Sequence, residues 1–325
     1  MREIMYVQAV NEALREEMRR DPLVFLMGED VELGAFGATA GLVEEFGKER
    51  IRNTPITESG FTGAAVGAAM AGMRPVAEIM FNNFAYVAMD QLCNQAAKLR
   101  YMSGGQAKMP ITFRTMYGAI GAAAAQHSAT LYAQFLNVPG LKIVVPSTPY
   151  DMKGLLKTAI RDDDPVIVFE HGRLGGVKGL VPEDDYLVPM GVADVKREGT
   201  DVTVVALGAM VYEALTVAEK LTGEGVSVEV VDPRTLIPLD KEAICASVKK
   251  TGRLVLADEG TKIGSAVGEI AAVVVEDGDS FGSLKAPIKR VCAPDVPIPF
   301  SPPLEKFVLP DADNIEAAVR EVMKW

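Results

Sequence analysis

The sequence lacks residues and motifs on which several enzyme classes depend. It has only two histidines, His127 and His171, which excludes a His-rich metal site. Its three cysteines are widely spaced and form no CxxC pair, which predicts reduced thiols and neither disulfides nor a zinc site. No GxGxxG follows a predicted strand and no GxxxxGKS or GxxxxGKT occurs, so the phosphate-binding loops of dinucleotide and P-loop enzymes are missing.

An excess of positive charge is also missing. With 33 basic and 44 acidic residues the net charge is -11, which argues against nucleic acid or an anionic membrane as the partner. The first residues, Met-Arg-Glu-Ile-Met-Tyr, contain no apolar core of signal-peptide length, so a cytoplasmic location is expected. The chain otherwise has an ordinary globular composition, 49% apolar and 24% charged, and its 325 residues predict two domains.

Short apolar runs alternate with helical periodicity along the chain. Runs such as Val24–Met27 indicate buried strands, and segments such as Val7–Arg20 indicate amphipathic helices. This alternation predicts an α/β fold with parallel sheets covered by helices on both faces. Between Gly172 and Pro189, glycine, proline and acids replace the periodic pattern, which indicates a linker. The predicted domains are residues 1–180 and 190–325.

One stretch, Thr54 to Gly72, places a single carboxylate beside a wall of small residues. After Glu58 the chain reads Ser-Gly-Phe-Thr-Gly-Ala-Ala-Val-Gly-Ala-Ala-Met-Ala-Gly, which predicts a buried helix. The glycines would weaken an isolated helix by roughly 1 kcal/mol each, which a chain tolerates where another backbone comes very close. Burial favours the protonated form of a carboxylic acid, so Glu58 is a candidate for proton transfer, with a solvated helix cap as the alternative.

Three further side chains are candidates for binding. Glu29 follows the buried run Val24–Met27, at the strand end where α/β folds bind ligands, and a solvated loop is the alternative. Phe84 lies at a predicted strand-to-helix junction, where its ring either stacks on a planar ligand or joins the core. His127 lies in a loop of small residues, 117–128, and is either a mobile acid, base or donor or an ordinary surface histidine.

A cluster of acids follows a predicted helix, in the segment Ala159-Ile-Arg-Asp-Asp-Asp-Pro. Negative charge at a helix C-terminus is disfavoured by the helix dipole, and the last helical carbonyl groups lack partners there. A bound monovalent or divalent cation would satisfy both groups, and plain solvation is the alternative.

A set of short motifs extends in one order over essentially the whole chain. The motifs are Thr54-Pro-Ile-Thr-Glu-Ser-Gly-Phe, Tyr101-Met-Ser-Gly-Gly-Gln, Ala125-Gln-His-Ser, Pro139-Gly-Leu-Lys-Ile-Val-Val-Pro, Ala159-Ile-Arg-Asp-Asp-Asp-Pro, Phe169-Glu, Val231-Asp-Pro-Arg-Thr-Leu-Ile-Pro-Leu-Asp and Lys250-Thr-Gly-Arg-Leu-Val. Together they resemble the beta subunits of thiamin-diphosphate-dependent 2-oxo acid dehydrogenases, the family that includes pyruvate and acetoin dehydrogenases.

The resemblance implies a transketolase-like fold of two doubly wound α/β domains. Residues 1–180 would form the pyrimidine-binding domain and residues 190–325 the transketolase C-terminal-like domain. Thiamin diphosphate would bind between this chain and an alpha subunit, in an α2β2 heterotetramer that serves a lipoyl acyltransferase core. The family's diphosphate and metal motif, GDG followed by Asn-Asn, is absent, and Gly278-Asp-Ser is the nearest string. The alpha subunit is therefore expected to hold the diphosphate and its magnesium ion.

The resemblance implies that residues of this chain at positions matching the family's motifs have the family's roles. Glu58 would hydrogen-bond the aminopyrimidine and promote its imino tautomer. Glu29 and Ile56 would line the pyrimidine pocket, and Phe84 would stack on the ring. His127 would hydrogen-bond the substrate or intermediate. The positions that match the family's potassium site are Ile111, Ala159, Ile160, Asp162 and Asp164.

The implied activity is cleavage of acetoin or decarboxylation of pyruvate, with transfer of the acyl unit to lipoamide. Arg114-Thr-Met-Tyr-Gly and Pro146-Ser-Thr-Pro-Tyr-Asp look closest to acetoin dehydrogenase beta subunits, with pyruvate-specific and then branched-chain relatives next. A non-catalytic subunit that anchors an acyltransferase core is the alternative from a different class. A stand-alone nucleotide enzyme is disfavoured because the phosphate loop is absent.

Overall fold

A computed structural model describes all residues from Met1 to Trp325. The chain forms two compact units. The first contains Met1–Tyr117 and Gln134–Met190, and the second contains Gly118–Ala133 and Gly191–Trp325. The segment Gly118–Ala133, which the predicted boundaries placed in the N-terminal domain, therefore belongs to the second unit.

The first part of the chain alternates between strands and helices. The strands up to Val181 are β1 (Arg2–Met5), β2 (Val24–Gly28), β3 (Ile51–Asn53), β4 (Arg74–Phe81), β5 (Thr112–Tyr117), β6 (Lys142–Val144), β7 (Val166–His171) and β8 (Lys178–Val181). The α-helices are α1 (Tyr6–Arg20), α2 (Leu42–Phe46), α3 (Glu58–Met70), α4 (Ala97–Met102), α5 (Tyr132–Phe135) and α6 (Pro149–Arg161). Two 3₁₀ turns, Asn82–Tyr86 and Gly172–Leu174, and one π-helical turn, Gln91–Ala96, complete this part.

Six parallel strands of the first unit follow the order β6-β7-β5-β4-β2-β3, and β1 pairs separately with β8 in an antiparallel ribbon. All five residues of β2 are buried, as expected for a parallel sheet with helices on both faces. The register pairs Gly28 with Glu78 and Glu78 with Arg114. The end of β2 therefore lies level with Glu78 and Arg114, toward the carboxyl ends of the strands, where α/β proteins bind ligands.

The second part of the chain repeats the α/β pattern. Its strands are β9 (Asp194–Arg197), β10 (Val202–Ala206), β11 (Val228–Asp232), β12 (Thr235–Ile237), β13 (Leu254–Thr261) and β14 (Lys289–Ala293). Its helices are α7 (Met210–Thr222), α8 (Lys241–Thr251), α9 (Ala266–Glu276), α10 (Gly278–Ser283), α11 (Pro302–Val308) and α12 (Ala312–Val322). A five-stranded sheet has the order β14-β13-β10-β11-β9, in which only the edge strand β9 runs antiparallel. Its core is rich in valine, with Val204, Val230 and Val255 packed in one cluster with Ile315 and Val319 of α12.

The structure departs from the sequence predictions mainly between the regular elements. The sequence from Asp90 to Met102 predicts one long helix, and the structure divides it into the π-helical turn Gln91–Ala96 and the short helix α4. The predicted linker after Gly172 contains β8, which the sequence pattern missed because its glycine and lysine interrupt the apolar alternation. No helix combines the length and the apolar composition that crossing a membrane requires.

Candidate active site

Glu58 is the first residue of α3, and its side chain is only 7% exposed. The carbonyl oxygen of Thr57 accepts hydrogen bonds from the N–H groups of Gly60 at 2.8 Å and Phe61 at 3.0 Å, which closes the first helical turn. A carboxylate at a helix N-terminus is stabilised by the helix dipole when it is charged, whereas burial favours the protonated form. Glu58 is thus a buried carboxyl group at the positive end of a helix dipole.

The helix predicted from the small residues is present, but it is only partly covered. Ala65, Val66 and Ala69 are buried, whereas Gly67 and Met70 are exposed. A methyl group built onto Gly67 would meet no atom within 4 Å. The close packing expected at this glycine is therefore not made within the single chain.

Glu29 follows β2 and lies close to Glu58. The backbone N–H of Thr57 donates a hydrogen bond to its carboxylate. Burial raises the pKa of Glu29, and the negative charges of Glu58 and Asp30 raise it further. The Oε1 atom of Glu29 is buried and has no hydrogen-bond partner in the chain. Since buried polar atoms are nearly always hydrogen-bonded, this oxygen is expected to bind water or a ligand.

Gly28 permits this arrangement because the neighbouring strand comes very close. A methyl group added to Gly28 would lie 2.6 Å from the carbonyl oxygen of Glu78 on β4. Any larger residue would push β2 away from β4 and move Glu29 with it. The sequence offered only a glycine after an apolar run, which did not reveal this contact.

The other two residues predicted to bind the pyrimidine are less enclosed. Phe84 lies in the 3₁₀ turn after β4 and is half-buried, and its ring meets that of Phe81 edge-on with centroids 5.8 Å apart. Ile56 is 80% exposed. The single chain therefore brings Glu29 and Glu58 together but leaves the Ile56 side of the predicted pocket open.

A buried ion cluster that the sequence analysis did not single out lies beside Glu29. Arg114 donates to Glu170 through Nε at 2.7 Å and Nη2 at 2.8 Å, and it also donates to Glu78. Burial raises the pKa of Glu78, which the positive charge of Arg114 opposes. The available signal was a charged residue within each of three apolar strands, since Glu78, Arg114 and Glu170 interrupt β4, β5 and β7.

Two cavities are lined by these groups. A space of about 10 Å³, enough for about one water molecule, is lined by Glu29 and Glu78. A larger cavity of about 140 Å³ is lined by Glu78, Arg114, Glu170 and His171 among others. The carboxyl edge of the sheet is therefore hollow next to the predicted cofactor position, and charged side chains lie there among apolar ones such as Phe36, Met80 and Met116.

At the end of α6, two of the residues predicted to bind potassium already contact a cation of the protein. Nη1 of Arg74 lies 3.1 Å from the carbonyl oxygen of Ile160 and 2.9 Å from that of Asp162. The carbonyl oxygens of Ile111 and Ala159 accept backbone N–H groups at 3.0 and 3.2 Å. The helix end thus attracts positive charge, as its dipole predicts, and Arg74 supplies it.

The two carboxylates of the predicted potassium site are also paired. Lys142 Nζ lies 2.7 Å from Asp162 and 3.2 Å from Asp164, and Arg100 pairs with Asp164 as well. No group of three or more His, Cys, Asp or Glu side chains is arranged to hold a metal ion. Potassium at these positions stays a prediction, and the ion would have to share oxygens with Arg74 and Lys142.

His127 lies in the segment Gly118–Ala133 of the second unit and is half-buried. Its backbone N–H donates to the carbonyl oxygen of Ala124 at 3.3 Å, and the next residue, Ser128, is buried. His127 and Glu58 belong to different units, so their joint role stays a prediction.

One serine has a sequence pattern typical of hydrolases but not the corresponding structure. Gly278-Asp-Ser-Phe-Gly282 spells GxSxG, the pattern of a nucleophile on a sharp strand-to-helix turn. Here it lies within α10, Ser280 is fully buried, and its hydroxyl donates to the carbonyl oxygen of Cys245 at 3.3 Å. Ser280 therefore stabilises the packing of α10 and is not exposed to a substrate.

Comparison with known families defines the class of the protein. The family model "Transketolase, pyrimidine binding domain" matches residues 2–176, and "Transketolase, C-terminal domain" matches residues 191–315. A solved structure described as "Split gene transketolase, inactive beta4 tetramer" has a TM-score of 0.81 at 27% identity and covers 99% of this chain and 98% of that one. The chain is a transketolase-like α/β protein of two domains, which confirms the predicted fold class.

Full-length relatives narrow the class. The chain is 50% identical to the 2-oxoisovalerate dehydrogenase subunit beta of Bacillus subtilis (strain 168), over 98% of each chain. It is also 50% identical to the acetoin:2,6-dichlorophenolindophenol oxidoreductase subunit beta of the same organism, over 99% of this chain and 98% of that one. A pyruvate dehydrogenase E1 component subunit beta from Rickettsia felis is 48% identical over 97% of each. The chain belongs to the family of beta subunits of the 2-oxo acid and acetoin dehydrogenases, which depends on thiamin diphosphate and pairs with alpha subunits.

Proposed function

We propose that this chain supplies the pyrimidine-binding half of a thiamin diphosphate site, in an enzyme that cleaves acetoin or decarboxylates pyruvate and transfers the acyl unit to lipoamide. The observation that carries this proposal is the pair of buried acids Glu58 and Glu29, which are 7% and 8% exposed. Burial, and then the negative charge of Glu58, raise the pKa of Glu29, which favours retention of a proton on Glu29. A proton held at this position is what an aminopyrimidine needs in order to change tautomer.

The residues present fit the pyrimidine half of the cofactor. Glu58 would hydrogen-bond the ring nitrogen, and the Oε1 of Glu29, which has no partner in the chain, would be available to a polar group of the ring or to a bridging water. Phe84 offers an aromatic surface. Thiamin diphosphate, when bound, supplies the electron sink for cleavage of the bond next to the substrate carbonyl.

The diphosphate half of the cofactor is assigned to an alpha subunit. This chain has no GDG motif followed by Asn-Asn, and the nearest string, Gly278-Asp-Ser, is folded into α10. The proposed assembly is therefore an α2β2 heterotetramer whose alpha subunits hold the diphosphate and magnesium, and which delivers acyl groups to a lipoyl acyltransferase core. In this assembly His127 hydrogen-bonds the substrate or intermediate.

Replacing one proton-holding group tests this proposal. In the complex reconstituted with its alpha subunit, Glu58→Gln should lower turnover on the order of 100-fold, because the amide cannot exchange the proton. The matched control is Glu49→Gln, which removes the same charge from an exposed position. Full turnover of the Glu58→Gln complex would instead support a non-catalytic subunit that anchors the acyltransferase core.

The substrate is tested with the same complex. Relatives that are named for 2-oxoisovalerate and for acetoin are equally similar to this chain, at 50% identity. Comparing kcat/KM for acetoin, pyruvate and branched 2-oxo acids decides among them. The proposal expects acetoin or pyruvate to be preferred, and a preference for branched 2-oxo acids would overturn that choice.

A potassium ion at Ile111, Ala159, Ile160, Asp162 and Asp164 is a further part of the proposal. Each carbonyl oxygen has two lone pairs, so the oxygens of Ile160 and Asp162 can accept from Arg74 and still bind an ion. Melting the chain in potassium chloride and in choline chloride at equal ionic strength tests this. A potassium-specific rise in Tm supports the ion, and equal values would show that Arg74 and Lys142 suffice.

A further inference from the structure

The loop that carries His127 follows a strained backbone path. Gly118 and Gly121 have φ values of +80° and +97°, and Ala122 and Ala124 have values of +53° and +60°. Residues with a Cβ atom rarely adopt this left-handed region, which costs roughly 1–2 kcal/mol per residue. Such a path persists only where surrounding groups hold it in place, and it is found most often at functional sites.

Two neighbouring carboxylates at the end of β13 hold the base of this loop. Glu259 accepts the backbone N–H of Ala119 at 2.7 Å, and Asp258 accepts the hydroxyl of Tyr132. Both acids are buried, at 4% and 0% exposure. The N–H of Gly118 donates to the carbonyl oxygen of Ala129 at 3.1 Å and joins the two arms of the loop.

A third carboxylate holds the strained part of the loop. Glu305, in the first turn of α11, accepts the N–H of Ala122 at 2.9 Å and is only 8% exposed. Ala124 follows two residues later, and its carbonyl oxygen accepts the N–H of His127. Glu305 thus acts on the left-handed residues through which the chain reaches His127.

These hydrogen bonds bear directly on the loop conformation, because the loop's own side chains contribute little packing. Between Gly118 and His127 the side chains are almost all those of glycine and alanine, which bury little apolar surface. Hydrogen bonds from backbone N–H groups to carboxylates are roughly twice as strong as neutral ones. Burying a carboxylate is unfavourable unless hydrogen bonds compensate it, so three buried acids that bond to the segment 118–133 indicate a specific demand on its shape.

We propose that Asp258, Glu259 and Glu305 are positioning residues that hold the loop in the conformation in which His127 meets its substrate. The proposal rests on the role assigned to His127 above and adds the groups on which that role depends. It also accounts for the place of residues Gly118–Ala133 in the second unit, since all three acids lie there.

The first test measures the loop directly, without activity. Amide hydrogen exchange of the full chain is compared for wild type, Glu305→Ala and Glu305→Gln. Glutamine keeps an acceptor oxygen for the N–H of Ala122, whereas alanine does not. Amide exchange in residues 118–128 should be faster than wild type in Glu305→Ala and near wild type in Glu305→Gln. Exchange in strands β10 and β11 should be unchanged in both variants. Wild-type exchange of the loop in Glu305→Ala would overturn the proposal.

The second test links the loop to the reaction in the complex with the alpha subunit. Glu305→Ala should lower kcat between about 10- and 100-fold, since small displacements of reacting groups have effects of this size, and Glu305→Gln should restore most of it. In a His127→Ala background, Glu305→Ala should cause no further loss, because both changes remove one function. If the two substitutions lower kcat independently, so that their fold-losses multiply in the double variant, Glu305 stabilises the fold generally and the proposal is contradicted.

The two tests separate this inference from the proposed function. If His127→Ala leaves turnover unchanged while Glu305→Ala still speeds exchange in the loop, the proposed substrate role of His127 is wrong. The proposal that the acids position His127 for catalysis is then wrong as well. If His127→Ala lowers turnover while Glu305→Ala changes neither exchange nor kcat, the role of His127 stands and the positioning residues are refuted.

Discussion

Asp258 should make the stability of the chain depend on pH in a direction opposite to that of most acids. It is fully buried, and burial raises its pKa from 3.8 to about 6, against the hydrogen bonds from Tyr132 and the N–H of Gly260. A raised pKa means that the folded chain binds the proton more tightly than the unfolded chain. Stability is therefore greatest when Asp258 is protonated, and it falls as the pH rises from about 4 to 6.

The magnitude follows from the size of the rise. A shift from 3.8 to about 6 corresponds to about 3 kcal/mol between the low-pH and high-pH limits, at about 1.4 kcal/mol per pKa unit. About half of this, roughly 1.4 kcal/mol, lies between pH 5 and pH 8. Asp258→Asn removes the titration and keeps the oxygen that accepts both hydrogen bonds, since Tyr132 and Gly260 donate to the same atom, Oδ1.

The assay is urea unfolding of wild type and Asp258→Asn at pH 5 and pH 8. Relative to wild type, the variant should gain about 1.4 kcal/mol in free energy of unfolding between the two pH values. Asp279→Asn is the matched control, because Asp279 is exposed and its replacement should give no such change. The same difference between variant and wild type at both pH values would refute the account of Asp258.

Three other substitutions test separate parts of the structure. Arg114→Met should reduce the free energy of unfolding by about 3–5 kcal/mol, because it leaves Glu78 and Glu170 buried without their cation, whereas Arg2→Met at an exposed pair should change it by less than about 1 kcal/mol. Ala122→Gly should raise Tm, because glycine adopts the φ of +53° without strain, and a lower Tm would contradict the strained path. Gly28→Ala should lower Tm and weaken cofactor binding, since its methyl group would lie 2.6 Å from the carbonyl oxygen of Glu78, and unchanged values would show that β2 and β4 separate freely.

The α/β fold could be predicted because its signals are local. Apolar runs and helical periodicity located β2 within one residue and α1 within one residue of their observed bounds. The burial of Glu58 could likewise be predicted from the run of glycine and alanine that follows it. These features depend on neighbours in the sequence, where pattern and structure correspond closely.

The parts that could not be predicted depend on contacts between distant residues. Only the family resemblance, and no local pattern, implied the approach of Glu29 to Glu58, which depends on strand register and on the close passage of Gly28 by Glu78. The place of residues 118–133 in the second unit depends on hydrogen bonds to Glu259 and Glu305, far along the chain. One signal for this contact was available in the sequence. Asp258 and Glu259 follow the buried run Leu254–Ala257, much as Glu29 follows Val24–Met27 and Gly28, so they too were candidates for a functional position at a strand end.

The shared cofactor site is tested most directly by measuring thiamin diphosphate binding with calorimetry. The titration is performed on this chain alone, on its alpha subunit alone and on their stoichiometric mixture, each with magnesium present. We expect tight binding by the mixture only, because Glu58 and Glu29 are proposed to contact the pyrimidine while the diphosphate motif is absent from this chain. Equally tight binding by this chain alone would contradict it.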